Sequence, residues 1–253
     1  MRYAKGSIAI SDVADKPILR TVYSAGHARF DQLFESNFPY SQSKNLRDSL
    51  AWRVRRLVQH GFLDARYVPG MPPVLTLGEA GEFYLQSEDG AIVERRTRSR
   101  GTNARSQVWH DVELFEIQLA LRRAGVVRTW QSEAEVRAQN RVASIRFVKE
   151  YDAVVSFRLG DRRAEVALEF ERTVKSADAY FRIFTLLRDE GQLDRFLFLV
   201  PDSKSQLLLR DAAPSHCPRI YIGLTREFQS QPATAPLLDL RSSSTATLQD
   251  CLA

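Results

Sequence analysis

The stretch from Lys44 to His60 constrains the fold more than any other part of this 253-residue chain. Leu46, Leu50, Val54, Leu57 and Val58 recur at i, i+4, i+8, i+11 and i+12, which gathers them on one face of an α-helix. At about 100° per residue, Trp52, Arg53, Arg55 and Arg56 fall away from that face, with Asp48 the acid among them. Ser41 and Ser43 offer caps at its start, and Gly61 stops it. A helix of this kind buries one side and turns a basic side outward. That basic side fits a major groove and its phosphates, or else is a solvated surface.

The flanking sequence gives this helix a context. Ile18, Leu19, Val22 and Tyr23, then Phe30, Leu33 and Phe34, have helical spacing and predict two shorter helices, the second ended by Phe38-Pro39-Tyr40. Downstream, Phe62 to Val68 reads as a strand, Pro69-Gly70-Met71-Pro72-Pro73 as a turn and Val74 to Leu77 as a returning strand. A further helix begins in Gly78 to Leu85.

The order helix, helix, basic helix, hairpin, helix resembles the winged helix-turn-helix domains of bacterial DNA-binding proteins. Two runs carry the resemblance: Arg56-Leu57-Val58-Gln59-His60-Gly61-Phe62-Leu63 and Leu75-Thr76-Leu77-Gly78-Glu79-Ala80-Gly81. It implies a DNA-binding domain over residues 1–87. Its contacts to double-stranded DNA would come from Lys44, Arg47, Trp52, Arg53, Arg55, Arg56 and, on the hairpin, Arg66. Winged helices also serve as protein-interaction modules.

Composition sets the outer limits. The length allows two domains, and 44% hydrophobic with 26% charged residues is ordinary for a globular chain. The net charge of +5 leans modestly toward a polyanionic partner. Cys217 and Cys251 support neither a disulfide framework nor a cysteine-rich zinc site. No apolar run approaches the roughly 20 residues that span a bilayer, so a cytoplasmic protein without a membrane partner is expected. Residues 88–105 carry five arginines between Glu94 and Arg105 and no large apolar side chain there, which predicts an exposed basic linker.

A second domain is expected over residues 106–230. Val108 to Leu121 reads as a helix apolar on two faces; strands follow at Val126–Val136, within Ile145–Leu159 and at Arg163–Glu171; a helix then spans Ser176–Glu190 before a buried strand at Arg195–Val200. The order αβββαβ is shared by the restriction-endonuclease-like core named PD-(D/E)XK after its active-site signature. The fold expectation is therefore α+β: a winged helix-turn-helix followed by an α/β core of that kind. Residues 231–253 are expected to be a polar, loosely ordered tail.

In Glu165 to Glu171, Glu165, Glu169 and Glu171 alternate with Val166, Leu168 and Phe170, so the carboxylates share one side of the strand. In the nuclease family an acid on the second strand and another on the third hold a divalent cation such as Mg²⁺ or Mn²⁺. Carried over, these are Asp152 and Glu169 as metal ligands, while Glu171 stands where the active-site lysine belongs. Lys149 or Lys175 is a candidate substitute for it. The alternative for the glutamates is the polar face of an edge strand paired with Arg162, Arg163 or Arg172. Glu133 and Glu116 are further acids that could complete the site but fit the surface better; His110 reads as a satisfied polar contact, and Trp109 and Trp130 as core.

The whole arrangement is similar to the replication-relaxation family of plasmids and mobile elements. Trp109-His110-Asp111-Val112, Trp130-Gln131-Ser132-Glu133, Tyr151-Asp152-Ala153 and Leu168-Glu169-Phe170-Glu171-Arg172-Thr173 carry this likeness. It implies a DNA-binding protein acting in replication, transfer or its regulation, with a nuclease-like second domain of unsettled competence. An active metal-dependent endonuclease, a winged-helix transcriptional regulator and a protein adaptor are the alternatives, and a homodimer matching two half-sites is compatible with each. No Gly-rich phosphate loop, nucleophile elbow or zinc spacing is present.

Overall fold

A computed structural model describes residues 8–89 and 102–253, and most of the expected basic linker lies outside them. The chain is mixed α+β and divides into two compact units at Leu119 and Ala120.

In the first unit, α1 (Lys16–Ala25), β1 (Ala28–Arg29), α2 (Phe30–Asn37), α3 (Lys44–Gln59), β2 (Leu63–Arg66), β3 (Val74–Leu77) and α4 (Glu79–Asp89) follow in order. The strands form an antiparallel sheet of order β1-β3-β2, in which Leu63 pairs with Leu77 and Arg66 with Val74. Pro17 starts α1 and Ser43 caps α3, its hydroxyl accepting the Leu46 N–H at 3.5 Å. Ile18, Leu19, Val22, Leu33, Leu50 and Leu57 bury at the meeting of α1, α2 and α3. The periodicity expected for α3 is met by Leu50, Val54 and Leu57, while Leu46 is exposed.

Two glycines let the start of α4 touch the chain that follows α3. A Cβ on Gly78 would stand 2.3 Å from the Gly61 carbonyl oxygen, and one on Gly81 would stand 2.3 Å from the Phe62 carbonyl oxygen. That proximity serves two hydrogen bonds, from Gly78 N–H to Phe62 at 2.9 Å and from Ala80 N–H to Gly61 at 3.1 Å.

The sequence assigns the helix after the linker to the second domain, but α5 (Thr102–Arg123) starts before the expected boundary, and its residues up to Leu119 belong to the first unit. Val108 and Val112 pack on Val74, while Phe115 and Leu119 enter the core of α1–α3. Polar contacts fix it: Gln32 donates to the Val112 carbonyl at 2.8 Å, and the buried Asp111 carboxylate meets His27 at 2.7 Å and the exposed Gln107 at 2.7 Å. His27, read nowhere in the sequence as significant, is thus the partner of Asp111; His110 lies 3.6 Å from the same carboxylate.

The second unit is built on a seven-stranded mixed sheet of order β10-β9-β8-β7-β6-β5-β4. Its elements are β4 (Val127–Ser132), α6 (Glu133–Val142), β5 (Ala153–Leu159), β6 (Arg162–Phe170), α7 (Ala177–Leu186) with a 3₁₀ turn at Leu187–Asp189, β7 (Arg195–Val200), α8 (Ser203–Asp211), β8 (Arg219–Leu224), α9 (Thr225–Ser230), β9 (Leu237–Asp239), β10 (Ser244–Ala246) and α10 (Leu248–Cys251). β6, β7 and β8 run parallel, and antiparallel pairs flank them on both sides.

Two sequence expectations fail here. The strand expected to reach Val136 ends at Ser132, whose N–H and hydroxyl both donate to Glu135 at 2.7 Å in a capping box that starts α6. The expected loose tail instead supplies two strands and a helix, and Leu237, Leu248 and Cys251 are buried. Short apolar positions hidden among serines and threonines carry it, a pattern too sparse to read as a strand.

Candidate nucleic-acid interface and carboxylate cluster

Burying Leu50, Val54 and Leu57 turns Lys44, Arg47, Trp52 and Arg55 of α3 to solvent. Trp52 is 54% exposed. The Arg47 guanidinium lies over the Phe30 and Phe34 rings at 5.1 and 5.4 Å, which anchors its stem while leaving the residue exposed. Arg55 donates to the Ala51 carbonyl one turn back. Arg66 is half-buried at the end of β2.

Arg53 and Arg56 do not stand free beside them. Both bond the carboxylate of Asp15, a fully buried residue just before α1: Arg53 at 3.1 Å through one oxygen and Arg56 through the other. The Ser11 N–H adds a third donor to Asp15 at 2.9 Å, and the Arg56 guanidinium sits 5.1 Å from the centre of the Trp52 ring. The two arginines predicted as backbone contacts therefore also close an ion pair between α3 and the start of α1. The sequence hides this because Asp15 is 38 and 41 residues away from its partners.

In the second unit, Asp152 directly precedes β5, Glu169 lies near the end of β6 and Glu171 follows it. β6 is an interior strand, its edges paired with β5 and β7, and its end is buried: Glu169 is 7% and Glu171 4% exposed, while Glu165 at the outer part is exposed. The edge-strand alternative for these glutamates is thereby excluded. Asp152 accepts the Phe170 N–H at 2.7 Å, tying the end of β6 to the start of β5. Glu171 donates its own N–H to the Leu199 carbonyl at 2.9 Å.

Two lysines answer the buried carboxylates. Lys149 pairs with Glu169 and lies 5.3 Å from the centre of the Tyr151 ring; Lys175 pairs with Glu171 and lies 5.7 Å from that of Tyr180. Burial pushes the Glu169 carboxyl up to about 7, opposed by the Lys149 charge and reinforced by the negative charges of Asp152 and Glu171. Burial likewise raises the Tyr180 phenol, with the Glu171 carboxylate adding to it, and raises Tyr151, whose hydroxyl donates to Glu190 at 2.8 Å. Of the other acids considered, Glu133 adjoins Asp152, donating its backbone N–H to the Asp152 carbonyl at 3.0 Å, whereas Glu116 lies in the first unit. Glu133 pairs with Arg137 at 2.5 Å, and Glu116 approaches Arg29 at 3.4 Å in the first unit.

A divalent cation held by Asp152 and Glu169 would need several oxygens aimed at one point. Here one Asp152 oxygen takes a backbone N–H, and one Glu169 oxygen holds the Lys149 ammonium group. Among the described residues no three His, Cys, Asp or Glu side chains come together as a metal-binding group. As arranged, these residues do not fit such a cation. Among the described residues, no helix is long and apolar enough to cross a membrane.

Comparison of the chain with protein-family models, with curated proteins and with solved structures gives no match.

Proposed function

We propose that the chain binds double-stranded DNA through its first unit, with α3 as the groove-facing helix and the β2–β3 hairpin as the wing of a winged helix-turn-helix. The observation that carries this reading is the split of α3 into a buried apolar face and an exposed face bearing Lys44, Arg47, Trp52 and Arg55. The connection of helix, short strand, two helices and hairpin, with the short strand completing a three-stranded sheet, supports it. Most of the affinity comes from cations meeting phosphates and is therefore salt-dependent. The second unit, in this reading, is a restriction-endonuclease-like platform without cleavage chemistry. The likeness to the replication-relaxation family extends the proposal to DNA transactions of a plasmid or mobile element.

Fluorescence anisotropy with a labelled duplex, titrated over a range of KCl concentrations, tests the proposal. Replacing Lys44, Arg47 and Arg55 together by Ala lowers the affinity and reduces the salt slope by roughly 3, about 1 for each phosphate that is no longer neutralised. Unchanged affinity and slope in a variant that keeps its circular dichroism would refute DNA binding through α3. Nicking of supercoiled DNA with Mg²⁺ that Asp152→Ala abolishes would replace the platform by an active nuclease.

A further inference from the structure

Asp152, Glu169 and Glu171 gather where β5 begins and β6 ends, and the nuclease likeness assigns the first two to a divalent cation. Their partners are of another kind. Lys149 reaches Glu169 from the loop before β5, Lys175 reaches both oxygens of Glu171 from the loop before α7, and the Phe170 amide occupies one oxygen of Asp152. We infer that the chain's own lysines neutralise this cluster in place of a metal ion, Lys149 being the group that keeps a divalent cation from Glu169.

The charges support this assignment. Among the five groups, three carboxylates face two ammonium groups, each lysine set against one glutamate. A cation entering beside Glu169 would have to expel the Lys149 ammonium, because two positive centres on one carboxylate repel in a poorly screened site. Lys149 keeps 22% of its side chain exposed, so its truncation leaves a solvated opening rather than a buried void. The inference concerns the second unit alone and stands apart from the reading of α3.

Electron paramagnetic resonance of Mn²⁺ with the full chain tests it. Wild type leaves the free Mn²⁺ signal undiminished at millimolar metal, and its melting temperature does not move. Lys149→Ala, shown folded by circular dichroism, takes up one Mn²⁺ per chain and melts at a higher temperature with the metal; Lys149→Ala with Glu169→Gln does neither. Saturable binding by wild type that Glu169→Gln removes would overturn the inference, and so would a folded Lys149→Ala chain that takes up no Mn²⁺. Duplex affinity is read separately through Lys44, Arg47 and Arg55, so the two proposals can fail independently.

Discussion

Replacing Glu169 by Gln asks whether burial or the Lys149 partner governs this carboxyl. A rise from an ordinary 4.5 to about 7 corresponds to about 3 kcal/mol. The sign follows from proton binding. Below the lower value both the folded and the unfolded chain hold the proton, and the contribution to stability is complete. Between the two values the unfolded chain releases its proton while the folded chain keeps it, so stability falls as pH rises, and above about 7 the loss is complete. Gln has nearly the shape of the protonated acid and cannot ionise. Urea unfolding at a series of pH values, followed by the fluorescence of Trp130 in a chain whose Trp52 and Trp109 are Phe, reads the second unit. The wild-type and Glu169→Gln curves should run together near pH 4 and separate until the variant is more stable by about 3 kcal/mol at pH 8. A difference independent of pH, or a variant less stable at pH 8, would show that the Lys149 pair outweighs the cost of burial.

Asp15→Ala strips a buried carboxylate from Arg53 and Arg56; because those arginines remain 29% and 25% exposed, chemical denaturation should show a loss of about 2 kcal/mol, below the range for wholly buried pairs. Gly81→Ala drives a methyl group to 2.3 Å from the Phe62 carbonyl oxygen, and a loss of at least about 2 kcal/mol in the first unit is expected, with no effect on the second. Leu248→Ala empties a fully buried site in the last helix and should cost about 3 kcal/mol, whereas a loosely ordered tail would lose nothing measurable.

What the sequence makes legible is periodic and local. The faces of α3, the strand pair joined by Pro69 to Pro73, and the burial of Val166, Leu168 and Phe170 follow from spacing alone. The start of α6 is also within reach, since Ser132 and Glu135 stand at capping-box spacing, but the β-branched and aromatic residues between Val126 and Trp130 mask the change of period. Which unit receives α5 is not legible, because a helix apolar on two faces fits either core and the choice rests on Val74, His27 and Gln32, far away in sequence.

The two candidate sites share one reason for being only half readable. Each exposes or collects charges that the sequence displays, and each offsets part of them with a partner brought in by the fold. Asp15 offsets Arg53 and Arg56 on the basic helix, and Lys149 and Lys175 offset Glu169 and Glu171 in the sheet. A helical wheel counts the side chains of Arg47, Arg53, Arg55 and Arg56 as equivalent, and a strand pattern counts the glutamates as open ligands. With those pairs made, Lys44, Arg47 and Arg55 are cations of α3 that stay exposed, and oxygens of Glu169 and Glu171 are taken by lysines. The same physical rule explains both: an ionised group leaves water for the interior of a fold when an opposite charge or a set of N–H donors meets it there, and that partner is rarely its neighbour in the chain.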